Sequence, residues 1–172
     1  MNEDKKKDIL LLNKLQSADT GIVLEAIQRV KESSTVNIIP HLFELINENT
    51  QNIIKKDILQ VICDIKDRNA VSVLINEIST KDFGFDTAEV IATFWQSRLD
   101  FSKYLSTFIK IFIERDYQTA LEAFTVVEES LCNINRDIHQ ECIHILQANE
   151  KSISADKLPL FNEMLKLLKA ES

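Results

Sequence analysis

Glycine and proline are nearly missing from this sequence, two of each in 172 residues, where the pair makes up roughly 12% of an average chain. A sheet protein of this length needs many tight turns, and tight turns need Gly, Pro and Asn. The shortage excludes all-β folds and glycine-rich phosphate-binding folds. Cysteine is scarce as well. Cys63, Cys132 and Cys142 are odd in number and irregular in spacing, so no disulfide framework is implied, which suits a reducing cytoplasm. Each sits in an apolar helical context and reads as a buried small hydrophobe. Long apolar runs are absent too. The longest, Ile9-Leu10-Leu11-Leu12, is far short of the roughly 20 residues that span a bilayer. The charged start, Met1 to Asp8, lacks the apolar stretch and small-residue cleavage site of a signal peptide. A basic excess is missing: 27 acidic against 20 basic side chains leave a net charge of −7. That balance argues against coating nucleic acid and against docking on anionic lipid.

What is present is helical periodicity. Between Ile53 and Ile65, apolar residues fall at Ile54, Ile58, Val61, Ile62 and Ile65, one face of a 3.6-residue helix. Short polar clusters interrupt the chain and offer N-caps: Ser17 to Thr20, Ser33 to Thr35, Asn47 to Thr50, Asp67 to Asn69, Asp86, Asp100, Asp116 and Asn133 to Asn135. Pro40 and Pro159 fall at helix starts, where a missing backbone donor costs least. The pattern predicts ten helices, over 4–16, 20–33, 37–48, 51–66, 69–79, 86–98, 101–114, 117–131, 135–149 and 156–169. A chain of this length fits one domain, 1–172, or a short array of repeats.

The helices repeat. A shift of 31 residues places Ile27 on Ile58 and Val30 on Val61; a shift of 33 places Ile58 on Ile91, Val61 on Phe94, Ile75 on Phe108 and Ile78 on Ile111. A shift of 34 carries Phe108 to Cys142, Ile111 to Ile145 and Phe112 to Leu146. Two amphipathic helices per period of this size is the sequence mark of a helical solenoid, in which neighbouring pairs share one core.

The segment Ile38-Ile39-Pro40-His41-Leu42-Phe43-Glu44-Leu45-Ile46-Asn47, followed by Ile54-Lys55-Lys56-Asp57-Ile58, resembles a HEAT repeat. Leu11-Leu12-Asn13-Lys14-Leu15 with Asp19 and Leu24-Glu25-Ala26-Ile27 looks like the same unit, and Asn69 to Ile75 resembles the opening of a third. The likeness covers residues 9–79, and beyond Thr80 only the periodicity continues. The resemblance implies an all-α, right-handed superhelix of about five antiparallel helix pairs, with second helices on the concave side. At about 8–10 Å between helices, five pairs give a rod on the order of 50 Å, with Lys5 to Lys7 and Lys166 to Ser172 as solvated ends. Two rival architectures are a tetratricopeptide array, suggested by Tyr117 to Phe124, and a non-repeating helical bundle.

Candidate chemistry is thin. Cys132, His139, Cys142 and His144 are the only cluster of thiols and imidazoles. His139 and Cys142 share a helix face, whereas His144 lies about 140° around from His139, so no four convergent zinc ligands form. Cys142 falls on the core register with Phe108. His41 beside Pro40 reads as a surface residue at a helix start. Glu122, Glu128 and Glu129 form an acidic helix face, either plainly solvated or a contact for a basic partner. Lys55-Lys56 is the one basic pair near a concave helix, with Arg29, Arg98 and Lys103 scattered around it. The loop Phe83-Gly84-Phe85 has two readings: aromatics that plug the core, with Gly84 at positive φ, or an exposed anchor for a partner. Trp95 aligns with the core position Ile62 and is expected to be at least half buried.

The expected function is a non-catalytic, cytoplasmic scaffold that binds a protein or peptide partner along the concave face and needs no cofactor or metal. The expected contact residues are Arg29, Lys55, Lys56, Gln60, Phe83, Phe85, Gln96, Glu122, Glu128 and Glu129. The alternatives are an enzyme acting on nucleic acid, of the HEAT-like DNA glycosylase type, and a tetratricopeptide-like peptide binder. HEAT-like phycobilin lyases share the fold, but nothing in this sequence marks a bilin site.

Overall fold

The computed structural model describes residues 3–33, 36–47 and 50–170. Among these residues the chain is all-helical, without a strand. Ten α-helices follow in order: α1 Glu3–Leu15, α2 Thr20–Ser33, α3 Ile39–Glu44, α4 Asn52–Asp64, α5 Ala70–Thr80, α6 Thr87–Ser97, α7 Leu105–Glu114, α8 Tyr117–Ser130, α9 Arg136–Ala148 and α10 Leu158–Ala170. Each matches one of the ten expected helices. The largest departures are α3, which opens through a 3₁₀ turn at Val36–Ile38 and stops at Glu44, and α7, which is preceded by a 3₁₀ turn at Ser102–Tyr104. At the end of α3 local side chains capture the free carbonyls. Thr50 Oγ1 donates to the Leu45 carbonyl at 2.5 Å, and Asn47 Nδ2 donates to those of Glu44 and Leu45. Such bonds give the backbone an alternative to another helical turn. The side chains of Lys5 to Lys7, and residues Ser34, Thr35, Glu48, Asn49, Glu171 and Ser172, which the sequence suggests as caps or chain ends, lie outside the described residues.

The chain divides into two compact units, Met1–Asp86 with Gln96–Arg98, and Thr87–Trp95 with Leu99–Ser172. In the first, α1 packs on α2, α2 on α4, and α3 on both α4 and α5. Ala26, Ile27, Ile38, Leu42, Ile58, Ile62 and Ala70 are fully buried there. In the second, α7 packs on α8 and α9, and α10 on α8 and α9. Its buried side chains include Phe94, Phe101, Phe108, Phe112, Phe161 and Met164.

The shortage of glycine shapes the helix ends. Helices commonly stop on a left-handed glycine that helps satisfy the last carbonyls. Here only Gly84, at φ 53°, and Arg98, at φ 59°, are in that region among the described residues. After α4, α5 and α7 the chain leaves in extended conformation at Ile65, Lys81 and Arg115. Cationic or imidazole side chains from elsewhere take the orphan carbonyls. Lys66 Nζ donates to the carbonyls of Cys63 (3.3 Å) and Ser97 (2.8 Å), at the ends of α4 and α6. His139 Nε2 donates to the Leu168 carbonyl of α10 at 2.6 Å. Lys157 Nζ caps α7 with three bonds.

At the N-termini short polar side chains act as caps. Asp116 opens α8 by accepting from Gln118 N at 3.0 Å, Thr119 N at 3.1 Å and Thr119 Oγ1 at 2.8 Å. Asp116→Ala is expected to cost about 1 kcal/mol. Those bonds, the Thr119 hydroxyl foremost, hold the Asp116 carboxyl below its ordinary value of 3.8. Because the folded value is the lower one, the cap's contribution is present above about pH 4 and is lost as pH falls through the folded value. Melting curves of wild type and variant should therefore differ at neutral pH and converge in acid.

Candidate partner-binding surface

The side chains that link helices in the first unit repeat at nearly constant separation. Gln51 Nε2 donates to Thr20 Oγ1 at 3.0 Å, Gln28 Nε2 to Asp57 Oδ2 at 3.3 Å, and Lys31 Nζ pairs with Asp64 Oδ2 at 2.5 Å. The next rung continues from α4: Lys55 Nζ pairs with Asp86 Oδ2 at 2.6 Å, Cys63 Sγ donates to Gln96 Oε1 at 3.2 Å, and Lys66 Nζ reaches Ser97 O. Every one of these links spans 29 to 33 residues of sequence. The period seen in the apolar residues therefore reappears in the polar contacts.

Beside this ladder lies an open cleft of about 490 Å³, lined by Gln60, Cys63, Asp64, Lys66, Gln96, Ser97 and Arg98. It is mixed in charge and brings together two of the expected contact residues, Gln60 and Gln96. A smaller cleft of about 150 Å³ has an apolar floor of Val30, Val36, Ile39, Leu42, Val61 and Ile65, with Lys31, Asp64, Lys66 and Asp67 around it. Lys31 holds the Asp64 carboxyl below the usual aspartate range.

The other expected contact residues fall as follows. Arg29 is exposed and bonds Glu25 Oε1 at 2.6 Å within α2. Lys56 is exposed. Lys55 is largely covered, its ammonium committed to Asp86, so it is a link between helices before it is a contact for anything else. The Phe83-Gly84-Phe85 loop divides between its two readings. Phe83 is buried, its ring 5.5 Å from that of Phe43. This corrects its assignment as a partner anchor: it fills the core. Phe85, two residues on, is 98% exposed. In the second unit, Glu122 is half buried and accepts from Trp95 Nε1 at 2.9 Å, while Glu128 and Glu129 are exposed.

Of the three thiols only Cys142 is buried; Cys63 is half-buried and Cys132 exposed, which corrects the expectation that all three are buried. Burial pushes the Cys142 thiol up to about 12, with Glu141 adding to the effect. Burial also raises that of Cys63. Both are therefore held away from the nucleophilic thiolate form. His139 is committed to the Leu168 carbonyl, and His41 Nδ1 lies 3.0 Å from Glu44 Oε2 at the surface. No group of three His, Cys, Asp or Glu among the described residues is placed to hold a metal ion. No helix of the described residues is long and apolar enough to cross a membrane.

Sequence reasoning passed over several exposed apolar residues, Ile9, Leu10, Tyr117, Leu121 and Leu158 among them, and two that open second helices of the first unit. Ile22, in the first turn of α2, is 40% exposed, and Ile53, in the first turn of α4, is 54% exposed. The signal was present in their 31-residue spacing, off the core register. Compared with protein-family models, with curated proteins and with solved structures, the chain finds no match in any of the three.

Proposed function

We propose that the chain is a non-catalytic binding module, a HEAT-like stack of helical hairpins that holds a protein or peptide partner on its exposed second-helix surface. The observation that carries this reading is the ladder of side-chain links at 29 to 33 residues in the first unit. Equal units stacked side by side give links of constant separation, because each repeat contacts its neighbour through the same positions. In both units, helices pack with partners one or two places along the chain, which supports the same arrangement. A stack of this kind presents solvent-facing side chains at regular intervals, and here these include Arg29, Lys56, Gln60, Gln96, Glu128 and Glu129. The free thiols Cys63, Cys132 and Cys142 suit a reducing compartment such as the cytoplasm.

The test is affinity capture from cell extract on the immobilised full chain, followed by kinetics with the recovered partner. One saturable protein partner is expected. Reversing the acidic face with Glu128→Lys and Glu129→Lys should slow association about tenfold at low salt and little at high salt. Association at the wild-type rate would remove the acidic contact. A chain that retains no protein, yet binds duplex DNA with an affinity falling steeply as salt rises, would replace the module by the nucleic-acid reading.

A further inference from the structure

We infer that Ile22, Ile53 and Phe85 form one docking row, and that its occupant is a basic amphipathic α-helix of the partner; this deepens the binding-module reading and rests on it. The three residues are 31 and 32 positions apart, the interval of the links between helices. Two of those links bring their surroundings side by side within the first unit. Gln51 to Thr20 joins the starts of α4 and α2, and Lys55 to Asp86 joins α4 to the residue after Phe85. The core register lies elsewhere: Val23, Ile54 and Phe83 are buried next to or near each member of the row. Gly84, at φ 53°, takes the conformation that other residues avoid. It turns the chain so that Phe83 enters the core and Phe85 leaves it. A phenyl ring held 98% in water forfeits roughly the 1.5–3 kcal/mol that burial of such a side chain yields. Folding does not account for that ring, whereas buried aromatic anchors dominate binding interfaces.

Spacing and charge select the occupant. Packed helices lie about 8–10 Å apart, and a row that steps from one helix start to the next is expected to advance by about that much. An α-helix places side chains on one face every seven residues, about 10.5 Å apart. An extended strand repeats its face at about 6.6 Å and matches the row poorly. Each member has a carboxylate near it in sequence, Asp19 three residues before Ile22, Asp57 four after Ile53 and Asp82 three before Phe85; of the nearby lysines, Lys81 is paired with Glu77 and Glu44, while Lys56, three after Ile53, is exposed. Lys55, the nearest cation to Asp86, is already paired with it. Lysines or arginines flanking the apolar stripe of the incoming helix would meet this acidic border, and the chain's net charge of −7 would draw them in.

The probe is a fluorescein-labelled synthetic helix of about 21 residues, with leucine at every seventh position and lysine and alanine elsewhere. Anisotropy titration with the full chain should show saturable binding. Ile53→Ser combined with Phe85→Ser should weaken it at least tenfold, and Leu158→Ser, an equally simple surface change in α10, should leave it unchanged. All three side chains in these comparisons are at the surface, and circular dichroism checks that each variant keeps its helices. The same peptide with glutamate for lysine should bind at least tenfold more weakly. Equal binding by the Ile53/Phe85 variant, or by the glutamate peptide, overturns the proposal. So does sedimentation showing a wild-type dimer that Phe85→Ser dissolves, because a second copy would then own the row. Extract capture separates this failure from that of the module: a Phe85→Ser chain that still retains the partner loses the row and keeps the module.

Discussion

Replacing Phe108 with alanine is expected to remove about 4 kcal/mol of folding free energy. Phe108 lies on α7 and is fully buried, and its ring meets two others. Its centroid is 5.5 Å from that of Phe94 and 5.9 Å from that of Phe101, in edge-on arrangements, and the remaining pair is 4.9 Å apart. Truncation deletes the transfer free energy of one phenyl group and leaves a cavity that two flat rings cannot easily close. It also breaks two aromatic pairs, each contributing about 0.5–1.5 kcal/mol beyond burial. For a chain of this size each kcal/mol moves the melting temperature by about 2–4 °C, so Phe108→Ala should melt roughly 8–16 °C lower. Phe108→Leu, which nearly keeps the volume, should cost less than half as much. Thermal and urea unfolding followed by circular dichroism reads both variants. A loss under 1 kcal/mol for Phe108→Ala would mean that the cluster is loosely packed.

Phe108 also shows how much of the molecule was legible in the sequence. It belongs to the register that carries Phe108 to Cys142 and Phe112 to Leu146, and all four are fully buried. Ile27, Ile58 and Ile91, aligned by shifts of 31 and 33, are buried in the same way. Periodicity reports which face of a helix avoids water, so it finds the core and the helices that carry it. It is less informative wherever a single dihedral or a long flexible side chain decides the outcome. Phe83 and Phe85 are the same residue type two positions apart, and the turn at Gly84 sends one inward and one outward. Lys55 reads as half of a basic pair, yet its ammonium lies 2.6 Å from a carboxylate 31 residues away. Ile22 and Ile53 repeat as faithfully as the core does, but their period alone does not say whether they face the interior or the solvent. The candidate site was thus legible in its interval and partly in its members. What the sequence withheld was the exposure of each.

Lys157→Met is expected to destabilise the chain by about 3 kcal/mol, although in sequence it is an ordinary lysine after the segment Ser152 to Asp156. Its residue is only 5% exposed. Its ammonium donates to the carbonyls of Phe112 at 3.0 Å, Ile113 at 2.8 Å and Arg115 at 2.8 Å, and lies 5.9 Å from the centre of the Phe112 ring. The partners lie 42 to 45 residues earlier in the chain. Methionine keeps the length and much of the volume of the stem, so the substitution isolates the loss of the donor. Hydrogen bonds to a charged group contribute about 1.5–3 kcal/mol, and a buried carbonyl left without a partner costs about 1–3 kcal/mol. Three carbonyls at the end of α7 accept from this one group, and no glycine follows to let the chain turn back and supply its own N–H groups. Burial draws the Lys157 pKa below its ordinary value of 10.5, while Asp156 and Asp116 pull it back up. Between the lowered folded value and 10.5 the unfolded chain holds the extra proton, so this group makes stability rise with pH across that window. Lys157→Met should abolish that rise as well as lower the melting temperature by roughly 6–12 °C. A double variant with Phe112→Leu should lose less than the sum of the two single changes, because the ring and the ammonium share one contact. Strict additivity, or a Lys157→Met chain as stable as wild type, would show that water satisfies the end of α7 equally well.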